Sequence, residues 1–302
     1  MEEDSQQVIN KKINYPCFLV GIVSGKVKIM IKSNCHTHTT FCDGKNTAEE
    51  MTIAAIEKGF ATLGFSGHSP MYYDADWTMK KEEVCEYIKD VKRVKALYSD
   101  KIDVLCGIEL DADFSDVELS DFDYSIASVH QLHGKDHIYS VDLDPNELTE
   151  CVEKVFGNDW YKMAETYFSN LADFAVSGDF DVVGHFDLIT KFNGQTPLFD
   201  EDNERYKASA LKALDKILDN KPDMLFEVNT GAMYRKGNPK PYPAEFMMRH
   251  INKRGGLITI TSDSHCCESL DFAFDKMIDY CKNCGFTEAY YLTSDGRKKY
   301  SL

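Results

Sequence analysis

Short apolar runs and helix-period segments alternate along most of the chain. Residues 31–35 (IKSNC), 62–66 (TLGFS), 104–108 (VLCGI), 124–129 (YSIASV), 182–184 (VVG), 224–228 (MLFEV) and 257–261 (LITIT) read as strands. Residues 47–58, 80–98, 146–156, 160–175, 204–219 and 243–254 carry helical patterning between them. Thr47-Ala48-Glu49-Glu50 has the spacing of a capping box, which places a helix start there. Gly255 and Gly256 supply the left-handed turn that ends the last of these helices. Strands alternating with helices predict parallel βα units. Seven of them predict an α/β fold, closed or nearly closed into a barrel. A final pair, 289–293 and 298–301 around Asp295-Gly296, predicts a terminal hairpin.

Residues 1–29 break this rhythm. The segment opens Glu-Glu-Asp-Ser-Gln-Gln, turns basic and apolar, and carries no visible catalytic chemistry. Met30 opens a natural first strand. The expected organisation is an N-terminal extension over 1–29, less ordered than a catalytic domain over 30–302.

Composition narrows the partners. A formal charge of −16 argues against nucleic acid and anionic membrane. A phosphate-bearing small molecule stays compatible if metals or an arginine supply local positive charge. No stretch approaches the roughly 20 apolar residues of a membrane span, and no signal peptide is visible. The ten cysteines are scattered, which fits a reducing cytoplasm. Cys281-Lys-Asn-Cys284 is a CxxC without a second pair, so a structural role at a helix end is expected.

The histidines change the picture. His36 and His38 end the first strand, His68 follows the second, Glu109 the third, His130 the fourth and His185 the fifth. Asp263 and His265 follow the last strand, and Asp43 and Arg235 lie slightly further from strand ends. In a parallel barrel the C-terminal strand ends converge on one face. A His-x-His pair on an extended strand puts both imidazoles on one side, because side chains alternate. A lone buried histidine is more often an ordinary core residue. Six of the nine histidines on one pattern, with carboxylates among them, point instead to a metal cluster. Such ligands suit zinc, manganese or iron. His133, His137 and His250 fall outside the pattern and read as loop or helix-surface residues.

The motifs HTH (36–38), GHS (67–69), GIELD (107–111), SVH (128–130), GHFD (184–187) and SDSH (262–265) resemble those of the PHP (polymerase and histidinol phosphatase) family. The resemblance runs from Met30 onward. It implies a distorted (β/α)7 barrel with three metal ions at the C-terminal ends of the strands. It gives the first ion His36, His38, Glu109 and Asp263. The second shares Glu109 and adds His130 and His185. The third takes His68, His265 and Asp43, the last standing where many members have histidine.

Within the family, "EVNTGAMYRKG" and the C-terminal "GFTEAYYLTSDGRKKYSL" are similar to the short, stand-alone histidinol-phosphatases. That likeness implies a metal-dependent phosphomonoesterase acting on L-histidinol phosphate, with Arg235 on the phosphate. Lys191 is a second candidate cation, Asp187 a candidate to orient a ligand histidine, and Tyr72, Tyr73, Trp77 and Tyr234 candidate stacking residues. The alternative is the same metal site acting on another small phosphoester, as a phosphatase or phosphodiesterase.

Overall fold

The computed structural model describes residues 19–23, 26–30, 32–73, 75–115, 117–194 and 197–302. Seven parallel strands follow one another in chain order: β1 (Lys32–Asn34), β2 (Phe60–Phe65), β3 (Asp103–Asp111), β4 (Tyr124–Ser128), β5 (Val182–Val183), β6 (Leu225–Asn229) and β7 (Leu257–Thr261). Each pairs with its sequence neighbours, as parallel βα units dictate. The two sheet edges then meet. Just past β1 and β7, Thr37 bridges Ser264, His38 N donates to Ser264 O at 2.8 Å, and Ser264 N donates to His36 O at 3.1 Å. The predicted barrel is present, and its seam runs through the His-Thr-His segment.

Helices α1 (Ala48–Glu57), α2 (Val84–Leu97), α3 (Pro145–Phe156), α4 (Trp160–Ser177), α5 (Glu204–Asn220), α6 (Gly231–Lys236), α7 (Glu245–Lys253) and α8 (Phe274–Asn283) accompany the strands. The Thr47 capping box forms: Thr47 Oγ1 accepts from Glu50 N at 3.3 Å, and Thr47 N donates to the Glu50 carboxylate at 2.9 Å. Gly255, at φ 75°, turns the chain out of α7. Residues 81–83, expected to begin a long second helix, form a separate 3₁₀ turn before α2. Helices α6 and α8 and a hairpin pairing Gln131–His133 with Ile138–Ser140 were not predicted. The terminal hairpin is present as Glu288–Thr293 against Gly296–Ser301. Cys281 and Cys284 are buried in the outer apolar core, and their thiols are free. Within the expected 1–29 extension, Leu19–Val23 pairs with Lys26–Met30 as an antiparallel hairpin that reaches Met30; residues 1–18, 24–25 and 31 lie outside the described residues.

The barrel interior divides into two layers. At the N-terminal end Cys35, Leu105, Tyr124, Ile126, Val182 and Leu225 form an apolar plug, with Tyr290 and Leu292 of the terminal hairpin packed against it. Tyr124 lies across β2 and β3, where Gly64 and Gly107 leave room for its ring. Its hydroxyl reaches Cys35 O at 2.6 Å and Phe65 O at 3.0 Å. Above this plug the inward positions become polar. Two residues beyond Gly107 on the same face of β3 comes Glu109, and two beyond Leu225 on β6 comes Glu227.

Candidate metal centre

Glu109 stands at the centre of the polar layer, 1% exposed. Its Oε2 lies 2.9 Å from His68 Nδ1, 3.1 Å from His36 Nε2 and 3.6 Å from His38 Nε2. Its Oε1 lies 3.0 Å from His185 Nε2 and 3.6 Å from His130 Nε2, and accepts from Ser128 Oγ at 2.6 Å. Five imidazoles delivered by strand ends far apart in sequence thus surround one carboxylate. Asp263 adds a second, its Oδ1 3.1 Å from His38 Nε2 and 3.6 Å from His36 Nε2. Asp263 reaches this position with φ at +48°, a left-handed conformation uncommon outside glycine.

Asp43 forms the third corner. Its Oδ2 is 3.0 Å from His265 Nε2, and its Oδ1 is 3.7 Å from both His68 Nε2 and His38 Nδ1. All nine expected ligands therefore meet in one place. Their donor atoms cluster within 4.8 Å in four overlapping groups: His38/Asp43/His68/His265, His36/His185/Asp263, His36/His38/Glu109 and His68/Glu109/His130.

The donor chemistry fits divalent cations. His130 Nδ1 is 3.0 Å from Asp111 Oδ2, and His36 Nδ1 is 2.7 Å from Glu227 Oε2. Each carboxylate holds a proton on Nδ1 and so assigns Nε2 as the nitrogen that can turn to a metal. His130 Nε2 then faces His185 Nε2 at 3.1 Å, while His36 Nε2, His38 Nε2 and Glu109 Oε2 are buried without a hydrogen-bond partner. A buried carboxylate oxygen and ring nitrogens converge here without hydrogen bonds to satisfy them, and a cation would satisfy them together. Burial together with the neighbouring His265 and His68 lowers the His38 pKa to about 3, so its ring is neutral. Burial would raise the pKa of Glu109, but the imidazoles of His36, His68 and His130 outweigh it and hold the carboxyl well below its usual range.

A cavity of 340 Å³ opens over this cluster. Asp43, His68, His130, His185, Asp263 and His265 line it, together with Arg235, Lys191, Asp142 and Trp77. Arg235 donates to Asp263 Oδ2 at 2.8 Å and Asp263 O at 2.7 Å, and lies 2.7 Å from His265 Nδ1. Lys191 pairs with Asp142 at 2.6 Å. Of the four candidate aromatics only Trp77 lines the cavity, with its ring edge-on to His68 at 4.7 Å. Tyr234 packs against Phe272 instead.

One expectation is corrected. Asp187 accepts from Ala244 N at 3.1 Å and has no hydrogen bond to any ligand histidine, so it anchors the start of α7. Asp111 and Glu227 hold the histidines in its place. Neither was singled out from sequence, although Glu227 interrupts an apolar strand at an inward position. His133 and His250 pair with Asp113 and Asp215 at 2.7 Å each, outside the cluster.

The comparisons agree with this geometry. The PHP domain family model matches residues 34–231. A Deinococcus radiodurans protein named "Probable histidinol-phosphatase" is 31% identical over 262 residues, 83% of this chain and 92% of its own length. A Schizosaccharomyces pombe protein of the same name is 26% identical over 281 residues, 85% of this chain and 87% of its own. The solved histidinol phosphate phosphatase of Lactococcus lactis, complexed with zinc, L-histidinol and phosphate, superposes with a TM-score of 0.67 at 19% identity. That match covers 88% of this chain and 98% of the other. The donor cluster is a divalent-metal site, and the chain belongs to the PHP family.

Proposed function

We propose that this protein is a metal-dependent phosphomonoesterase that hydrolyses L-histidinol phosphate to L-histidinol and phosphate, in histidine biosynthesis. The observation that carries this reading is the Glu109 cluster, five imidazoles about one carboxylate, beneath a cavity walled by Arg235 and Lys191. Similarity over most of the chain to proteins named histidinol-phosphatase supports the choice of substrate.

The donor chemistry suits zinc, manganese or iron, and the ligand sets of the family resemblance give three ions. His36, His38, Glu109 and Asp263 would hold the first, Glu109, His130 and His185 the second, and His68, His265 and Asp43 the third. Bound ions supply Lewis acidity, polarising phosphoryl oxygens and making water nucleophilic near neutral pH. Glu109 presents Oε2 to His36, His38 and His68 and Oε1 to His130 and His185, so it would serve both of the first two ions. Arg235 is held by Asp263 beside the ligands, so its planar guanidinium can grip the phosphate with paired hydrogen bonds. Lys191, which also lines the cavity, offers a second positive charge, oriented by Asp142.

Initial rates of phosphate release by the metal-loaded protein test this. Histidinol phosphate is set beside sugar phosphates, nucleotides and a phosphodiester. A strong preference for histidinol phosphate, abolished by chelation, is expected. Turnover of another panel member alone would replace the substrate, and no turnover of any would overturn the reading.

A further inference from the structure

Glu227 is a charged side chain in the middle of the barrel that none of the ligand groups contains. It is fully buried. Both oxygens are filled by donors. Oε2 accepts from His36 Nδ1 at 2.7 Å and Thr261 Oγ1 at 2.8 Å; Oε1 accepts from the His185 backbone N–H and from Asn229 Nδ2 at 2.8 Å. An ionised carboxylate accepts and never donates. His36 must therefore carry a proton on Nδ1, which leaves Nε2, toward Glu109 and Asp263, as the ring nitrogen that can bind a metal. The other oxygen fixes the backbone from which His185 projects, just past the two-residue strand β5. So short a strand has few ladder bonds of its own to set that backbone.

We propose that Glu227 is the positioning residue of the metal centre. It locks His36 as an Nε2 ligand and sets the His185 backbone, so one side chain keeps ligands of two ion positions in register. The inference rests on the metal-centre reading of this site and is independent of the substrate.

Glu227→Gln keeps the shape but puts an amide NH₂ where two donors already point. The His36 proton then moves to Nε2 or the ring turns, and a ligand lone pair is lost. Full-length protein loaded with zinc is dialysed against graded chelator, and retained zinc is measured by elemental analysis. Glu227→Gln should release zinc at roughly 10–100-fold lower chelator than the parent protein. Excess zinc should restore the bound metal, and the metal-free melting temperature should stay near the parent's. Thr261→Val removes a different Glu227 partner and should retain zinc as the parent does. Should Glu227→Gln not fold, Glu227→Asp, whose shorter side chain draws the carboxylate away from His36, should show the same loss. Parent-like zinc retention by the Glu227 variant overturns the proposal, as does an equal loss in Thr261→Val. A parent protein that retains no zinc overturns the metal-centre reading itself.

Discussion

Gly107→Ala tests whether the barrel's lower half is as tightly filled as its geometry shows. A Cβ at Gly107 would lie 2.2 Å from Tyr124 Cζ, 2.3 Å from Cε1 and 2.6 Å from Cε2. Carbon atoms in contact sit about 3.5–4.0 Å apart, so the ring must retreat by more than about 1 Å. It has little room to do so. Its hydroxyl reaches Cys35 O, just past β1, and Phe65 O at the end of β2, and a Cβ at Gly64 would meet that hydroxyl at 2.5 Å. Overpacking costs about 1–3 kcal/mol, and detaching a buried hydroxyl adds about 1–3 kcal/mol. A total near 3 kcal/mol corresponds to a fall of about 5 °C in Tm, at an unfolding entropy of about 2.1 cal/mol/K per residue over the 302 residues. Thermal unfolding followed by circular dichroism measures it, with both proteins stripped of metal so that metal loss does not contribute. A melting temperature within about 1 °C of the parent's would refute the packed-plug account, since the smallest expected cost already exceeds that shift.

Other outcomes follow from the site. Arg235→Ala, assayed with metal kept saturating because Arg235 also braces the ligands Asp263 and His265, should lower kcat for phosphate release by about 10²–10³-fold; undiminished kcat would remove it from catalysis. Asp111→Asn should weaken metal binding by roughly 10–100-fold through His130, read by chelator competition. Asp271 gives a pH-dependent case. Partial burial opposes its charge, but Lys32 at 2.7 Å and Lys58 at 2.8 Å prevail and lower its pKa. With the folded value below the unfolded one, its stabilisation is complete above about pH 5 and fades as pH falls through the folded-state value. Asp271→Asn should cost about 1 kcal/mol at neutral pH and progressively less in acid, and denaturant midpoints at several pH values will show whether the difference narrows.

The barrel and its ligand ring were legible because both follow from local rules. Parallel strands bury both faces and read as apolar runs, and a histidine or carboxylate just past such a run lands on the open face. His36, His68, Glu109, His130, His185 and Asp263 all announce themselves this way. The residues that hold the ligands do not. Glu227 is visible only as an acidic residue in an inward position of β6, and its partners His36 and Thr261 lie 191 and 34 residues away. Asp187, adjacent in sequence to the ligand strand, looked the better candidate and proved to face the start of α7. The hairpin 131–140 and helix α8 escaped for another reason: their short or mixed patterns gain definition from packing against the rest of the fold, which no local window contains.

Side chains from six separate strand ends should bind metal as one centre. Anomalous diffraction from crystals of the protein grown with manganese or zinc and phosphate tests it most directly. Three peaks are expected, with Glu109 between two of them, His265 and Asp43 beside the third, and Arg235 on the phosphate. Well-ordered crystals with no anomalous peak among Glu109, Asp263 and Asp43 would contradict it.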